Sequence, residues 1–316
     1  MRASRFHLCF VTNGSPVDVF YLTMVCLIPY IENLQQNLSQ QFKTPVIIKI
    51  MKALVVGFIF FSGLLISNVP VFAGQHKIMS LCDINYPSDG MVEWECRKLN
   101  RGDYPEKLFG RYWRDVLRFN RLDRRHFISG LWIKEPKRLE DIEGFTPMPE
   151  SYPEEAGVEK FILIDQSEMF LGAYEYGKLV LSFPIAVGIE GHRVPDGEFR
   201  IDAVDRGHES NLYRVENRNI PYPMHYGLRY LLNRDEEGWP SYWIHGRDLP
   251  GYPASHGCIG LYDEEMQKKT YKSPKKVILD DAKTLYRWVI GSHRDNGKFH
   301  TITYGPKVLI IGVPPL

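Results

Sequence analysis

Two textures divide the chain. From Lys160 onward the apolar residues fall in short alternating or continuous runs, KFILID (160–165), EMFLGAYE (168–175) and GKLVLSFPIAVG (177–188), separated by Gln166-Ser167 and Tyr176-Gly177. Further runs follow at GEFRIDAV (197–204), YGLRYLL (226–232), SYWIHG (241–246) and KVLIIGV (307–313). Runs this short, rich in β-branched and aromatic residues and bounded by turn formers, predict strands. One stretch keeps a helical period: LDDAKTLYRWVIG (279–291) has Asp280 as an N-cap, Leu285, Trp288 and Val289 as an apolar stripe, and a closing Gly291. Many strands with one or two helices predict a mostly β domain with a sandwich- or barrel-like core over residues 158–316.

Upstream, Leu108, Tyr112, Val116 and Leu117 recur at helical spacing, Asn120 follows, and Ile128-Ser129-Gly130 leads into a short apolar strand that ends at Pro136. This predicts a small α+β module over 74–144. The stretch FTPMPESYPEEAG (145–157) carries three prolines with Glu150, Glu154 and Glu155, which reads as an extended linker and a domain boundary.

The region from Met51 has the form of a secretory signal peptide: one lysine, a long apolar core interrupted by Gly63, Asn68 and Pro70, and small residues at Val71 and Ala73 ahead of Gly74. The expectation is export to the periplasm with residues 51–73 removed. A transmembrane anchor is the alternative. Fifty residues precede this segment, so residues 1–50 are expected to be a mis-assigned upstream extension, and Cys9 and Cys26 would then be absent from the mature protein. Of the remaining cysteines, Cys82 and Cys96 are close in sequence and expected to pair in an oxidising compartment, which leaves Cys258 odd.

With 44% hydrophobic residues the chain is not a disordered one, and its net charge of +1 says little about partners. The average conceals residues 97–138, where thirteen Lys or Arg stand against five acids, a local +8. Behind an export signal such a segment predicts an anionic envelope polymer, not nucleic acid.

The chemistry concentrates at SHGCIGLY (255–262). A thiol attacks acyl groups as thiolate and needs an imidazole or a positive dipole close by. His245 ends the strand-like SYWIHG, and His256 lies two positions before Cys258; RDLPGYPAS between them can fold the chain back. Gly257 suits a tight turn at which main-chain N–H groups approach an oxyanion. The Ser255 hydroxyl could orient His256 or a substrate. A metal site built from His245, His256 and Cys258 and a structural buried cysteine are competing readings, but the spacing fits no usual zinc pattern and a filler needs no flanking Gly and His.

IHGRDLPGYPASHGCIGLY resembles the signature of the L,D-transpeptidase (YkuD-type) catalytic domain, VPDGEF (194–199) resembles that family's T-P-x-G-x-F element, and the opening strands from Lys160 are similar as well. The resemblance implies Cys258 as nucleophile, His245 as its base, the Gly246 carbonyl as the group that sets the imidazole tautomer, and the N–H groups of Gly257 and Cys258 as the oxyanion site. It implies acyl transfer on peptidoglycan tetrapeptide stems with loss of D-alanine, by way of a thioester that passes to an amine or to water, and no cofactor. Tyr226, Trp243 and Arg247 are candidates for substrate contact.

A resembling enzyme could instead be a hydrolase, or a peptidoglycan-binding protein that has lost catalysis. Two departures stand out. Gly260 occupies the place of the family's arginine, which Arg247 or Arg193 would have to replace, and DEEMQKKTYKSPKK displaces the helix expected directly after the motif. Residues 102–136, in turn, resemble a degenerate LysM module, which implies contact with glycan strands.

Overall fold

The computed structural model describes residues 79–315 except 216–217 and 236–239. The upstream extension, the signal peptide, the start near Gly74 and Cys9 and Cys26 lie outside the described residues. The first part forms β1 (Trp94–Lys98), α1 (Pro105–Phe109), α2 (Trp113–Phe119) and β2 (Trp132–Pro136), with β1 and β2 antiparallel and Trp94 opposite Pro136. Asn120 closes this unit from just past α2. Its Nδ2 donates to the carbonyls of Val116 (2.9 Å) and Lys134 (2.8 Å), and its Oδ1 accepts from the Lys134 N–H. Cys82 and Cys96 form a disulfide with Cα atoms 6.0 Å apart, tying the segment before β1 to β1 itself.

The rest of the chain runs β3 (Lys160–Asp165), β4 (Phe170–Glu175), β5 (Lys178–Pro184), β6 (Gly197–Arg200), β7 (Ala203–Asp205), β8 (Glu209–Arg214), β9 (Pro221–Pro223), β10 (Gly227–Leu232), β11 (Ser241–Arg247), β12 (Ile259–Tyr262), α3 (Glu264–Tyr271), α4 (Asp281–Ile290), β13 (His300–Thr301) and β14 (Lys307–Ile311). One five-stranded sheet is ordered β5-β4-β3-β14-β6 and the other β12-β11-β10-β7-β13, while β8 and β9 form a separate hairpin. The fold is mostly β, as the hydrophobic pattern predicts.

The run 197–204 is one stretch in the sequence but two strands in space, β6 in the first sheet and β7 in the second. Inward-facing Ile162, Ile164, Val308 and Ile310 from one sheet and Leu228, Ile244, Ile259 and Leu261 from the other are essentially solvent-free. The stripe of α4, with Leu285 and Val289 buried, packs on β11 and β12. Its Asp280 N-cap and Gly291 C-cap are where the sequence places them.

Three expectations are corrected. Residues 145–157 are a packed strap and not a free linker. The Phe145 ring meets Phe119 of α2 edge-on at 5.1 Å and Phe170 of β4 at 5.9 Å, Met148 is buried, and the Tyr152 N–H donates to the Gly177 carbonyl at 2.7 Å. Pro153 opens a short 3-10 turn over Pro153–Glu155, the aromatic and sulfur side chains of the stretch have a core to enter, and the described residues belong to one compact unit.

The excess charge of 97–138 is largely matched by acids from elsewhere in the chain. Arg121 pairs with Glu168 at 3.0 Å, Arg125 with Asp248 at 3.1 Å, Arg124 with Glu264 at 2.5 Å, and Lys134 with Asp89. These partners lie outside the segment over which the charge was counted. Finally, the helix after the motif is present: α3 starts two residues past β12, and its N-cap Asp263 accepts the Met266 N–H at 2.8 Å.

Candidate active site

The site is built on a parallel pair. β11 and β12 run side by side with Ile244 opposite Ile259 and His245 opposite Gly260, so Cys258 enters β12 beside Trp243. The loop from Asp248 to Cys258 must make that crossover without a helix, and its backbone is held from two directions. On one side Ala186 and Gly260 exchange both N–H···O bonds at 2.9 Å, Ser255 donates to Val187, and Ile189 donates to Ser255. On the other, Leu249 and Asp123 exchange bonds of 2.8 and 2.7 Å, and the Tyr86 hydroxyl donates to the Gly251 carbonyl at 2.9 Å.

Within this loop Gly257 has φ +105°, and a side chain there would collide with the Tyr242 ring, 2.8 Å from the position of a Cβ. Both facts require glycine. The Ser255 hydroxyl donates to the Cys258 carbonyl at 2.5 Å, so it closes the turn around the cysteine and does not orient His256. The Tyr230 hydroxyl braces the same turn from β10 through the Gly257 carbonyl at 3.2 Å.

Cys258 is a free, half-buried thiol. Burial pushes its pKa up, while a hydrogen bond with the Trp243 N–H and the charge of Arg247 pull the other way. His245 is buried, and its Nδ1 lies 2.8 Å from the carbonyl of Gly246. A carbonyl can only accept, so the proton sits on Nδ1 and Nε2 carries the free lone pair. Burial is the main reason the imidazole pKa falls to about 3. The Gly246 bond opposes that fall, and the charges of Arg247, His208 and His225 add to it. At neutral pH the thiol of Cys258 and the imidazole of His245 are therefore both neutral.

The space at Gly260 is taken by Arg247. A Cβ built on Gly260 would lie 2.5, 2.7 and 2.9 Å from Cδ, Cβ and Cγ of Arg247. The arginine stem of β11 thus fills the space above β12, and its Nη2 donates to the Ala254 carbonyl at 2.5 Å.

The other expected residues go elsewhere. The His256 ring stacks on Tyr213 of β8 (centroids 4.6 Å) and meets His192 edge-on at 5.0 Å, on the hairpin side of the motif. The Trp243 indole is buried and stacked on His208 at 4.1 Å, so it contributes its backbone and not its ring to the thiol's surroundings. Tyr226 turns to the helices, its hydroxyl donating to Glu265 of α3 at 3.3 Å and its ring against Tyr286 of α4.

Two residues escape the sequence reading. Tyr230 sits in an ordinary strand run with no motif around it. Asp263, buried under Gly246, leaves room for no side chain there, since a Cβ on Gly246 would lie 2.3 Å from its Oδ2.

Residues 159–308 match the YkuD family, the L,D-transpeptidase catalytic domain. This part of the chain is a YkuD-family domain. Comparison with curated proteins gives no match. Among solved structures the chain is similar to the L,D-transpeptidase (residues 123–326) of Xylanimonas cellulosilytica, at 18% identity, with 68% of this chain and 98% of that one covered and a TM-score of 0.38. It is also similar to L,D-transpeptidase 1 of Mycobacterium tuberculosis (16% identity, 48% and 62% covered, TM-score 0.31) and to the L,D-transpeptidase of Stackebrandtia nassauensis (20%, 51% and 59%, 0.32). The chain spans less than two thirds of the length of these last two proteins.

Proposed function

We propose that the protein is an exported peptidoglycan L,D-transpeptidase working through a cysteine thioester in the periplasm. The observation that supports this reading best is the state of His245: neutral, with its proton fixed on Nδ1 by the Gly246 carbonyl and its Nε2 free, one strand away from the unpaired thiol of Cys258.

Nε2 takes the thiol proton as sulfur adds to the carbonyl carbon at the L-centre of diaminopimelate in a tetrapeptide stem. The negative oxygen is met by the N–H groups of Gly257 and Cys258. The C–N bond to D-alanine then breaks, the imidazolium returns its proton to the leaving amine, and a thioester remains. An acceptor amine attacks it, His245 removes the amine proton, and the new amide leaves as the imidazolium returns that proton to the sulfur, restoring the neutral thiol and imidazole. A second stem as acceptor gives a cross-link between the third residues of two stems, and water gives hydrolysis.

The test is intact-mass analysis of the mature protein with a purified disaccharide-tetrapeptide, wild type against Cys258→Ala. A transient adduct and free D-alanine, both lost in the variant, are expected, and the products separate transfer from hydrolysis. Sedimentation with peptidoglycan but neither adduct nor D-alanine would leave a binding protein in place of an enzyme.

A further inference from the structure

The bond that sets the His245 tautomer runs to the carbonyl of the very next residue, Gly246, at 2.8 Å. It holds the ring only if that peptide cannot turn, and glycine is the residue whose backbone turns most freely. Two neighbours fix it. The Gly246 N–H donates to the carbonyl of His225 at 2.8 Å, and the Gly246 Cα rests on the carboxylate of Asp263, with no space between for a Cβ.

These two neighbours also face each other. Asp263 is buried; its Oδ1 caps α3 through the Met266 N–H, while its Oδ2 is enclosed without a hydrogen-bond partner among the described residues. A buried carboxylate oxygen in that condition is costly, so the group set against it matters. That group is Nδ1 of His225, 3.7 Å away and at ion-pair range. The backbone on either side of His225 is pinned. Met224 and Tyr226 donate their N–H groups to the carbonyls of His208 and Arg206 at 2.8 and 3.0 Å, and Tyr226 has φ +59°, a left-handed conformation uncommon for an aromatic residue. Between these two bonds the His225 carbonyl is turned toward β11, and backbone strain of this kind persists only where the surroundings impose it.

We propose that His225 and Asp263 are positioning residues for His245. His225, set on Asp263 through its ring and on Gly246 through its carbonyl, locks the Gly246 peptide and with it the Nδ1–H tautomer. Both residues act through Gly246. The proposal rests on the reading of His245 as the base and names what keeps its Nε2 free.

The experiment reads tautomer and activity separately. Long-range proton–nitrogen correlation spectra of the mature protein with isotope-labelled histidine show which ring nitrogen of His245 carries the proton, and the signal is assigned by its loss in His245→Asn. D-Alanine release from the stem tetrapeptide is followed in parallel, and signal dispersion confirms that each variant is folded. The wild type is expected to show the Nδ1–H form alone. His225→Phe keeps the bulk of the ring without its nitrogens, and Asp263→Asn can still cap α3. Each is expected to bring in the Nε2–H form and to slow D-alanine release roughly threefold to tenfold, the weight of one hydrogen bond. His225→Asn, whose amide can stand where Nδ1 faces Asp263, is expected to restore most of the Nδ1–H form. The double variant His225→Phe/Asp263→Asn is expected to be no worse than the worse single one, because the two residues act as a unit. An unchanged Nδ1–H form in both single variants overturns the proposal whatever happens to D-alanine release, and so does a His225→Asn spectrum no better than that of His225→Phe. Mixed tautomers in both variants, with no D-alanine release by the wild type, support the positioning role and overturn the acyl-transfer reading instead.

Discussion

The protonation state assigned to His245 has a consequence for stability that does not depend on any substrate. In the unfolded chain an imidazole titrates near 6.5, and in the fold burial holds this one at about 3. The depressed pKa means that the native state binds fewer protons than the unfolded state wherever the pH lies between the two values. The contribution is therefore fully present above pH 6.5 and is lost as the pH falls toward the folded value. At about 1.4 kcal/mol per pH unit, the loss from this residue is about 2 kcal/mol between pH 6.5 and 5, and about 5 kcal/mol by pH 3.

His245→Asn removes the titration while its amide can still donate to the Gly246 carbonyl. Urea unfolding of the mature protein at pH 7 and pH 5, wild type against variant, reads the difference directly. The wild type is expected to lose about 2 kcal/mol more than the variant over that interval, whatever the variant's stability at pH 7. Equal losses would mean that His245 is charged or solvated in the fold, and the neutral base in the proposed mechanism would go with it.

Two further outcomes can be checked on the same material. His126 behaves oppositely: burial disfavours its charge, but the Asp123 carboxylate at 2.8 Å outweighs that and raises its pKa. Its contribution is present below pH 6.5 and lost as the pH rises through the raised value, so Asp123→Asn is expected to flatten the neutral-to-alkaline limb of the stability profile measured by urea unfolding; an unchanged limb would remove His126 from the account. Arg121, with none of its side chain exposed, binds Glu168 and Ser88, and Arg121→Met leaves the Glu168 carboxylate partly unmatched. A loss of about 3 kcal/mol in chemical denaturation is expected, and a change below about 1 kcal/mol would show that the pair is replaceable by packing.

What the sequence reveals of this fold follows the reach of each interaction. Strand texture is a property of neighbours in the chain, and KFILID, SYWIHG and KVLIIGV are strands close to the bounds their patterns suggest. The caps of α4 are equally local. The β8–β9 hairpin is hidden, because NLYRVENRNIPYP offers no alternation to read. The +8 of residues 97–138 misleads for the same reason in reverse, since Asp89, Glu168, Asp248 and Glu264 reach it through folding alone. Trp243 and Tyr226 look like cleft aromatics until His208 from the β7–β8 turn, α3 and α4 supply the partners that bury or divert them. The cysteine motif is legible because its glycine and histidines lie nearby in the chain; the contact of Arg247 with Gly260 is not, because it forms between neighbouring strands.

The loop that carries Cys258 explains why the upstream part of the chain belongs to the site and is more than an appendage. Eleven residues, with prolines at 250 and 253, join two parallel strands without the helix that usually supplies such a crossover with internal hydrogen bonds. Their backbone groups must then be satisfied from outside. Asp123 does so for Leu249, and the Leu122 carbonyl and the Tyr262 hydroxyl join the same region to the end of β12 at 2.9 Å. Asp123 is itself fully buried and shared with Gln267 of α3 at 2.7 Å. The two ends of this loop therefore answer to different parts of the chain, Leu249 to the α2–β2 connection and Ser255 to the segment after β5. A cysteine held by two such clamps keeps its position only while both parts are folded together, which is the physical reason that residues 79–158 share one core with the YkuD-family domain.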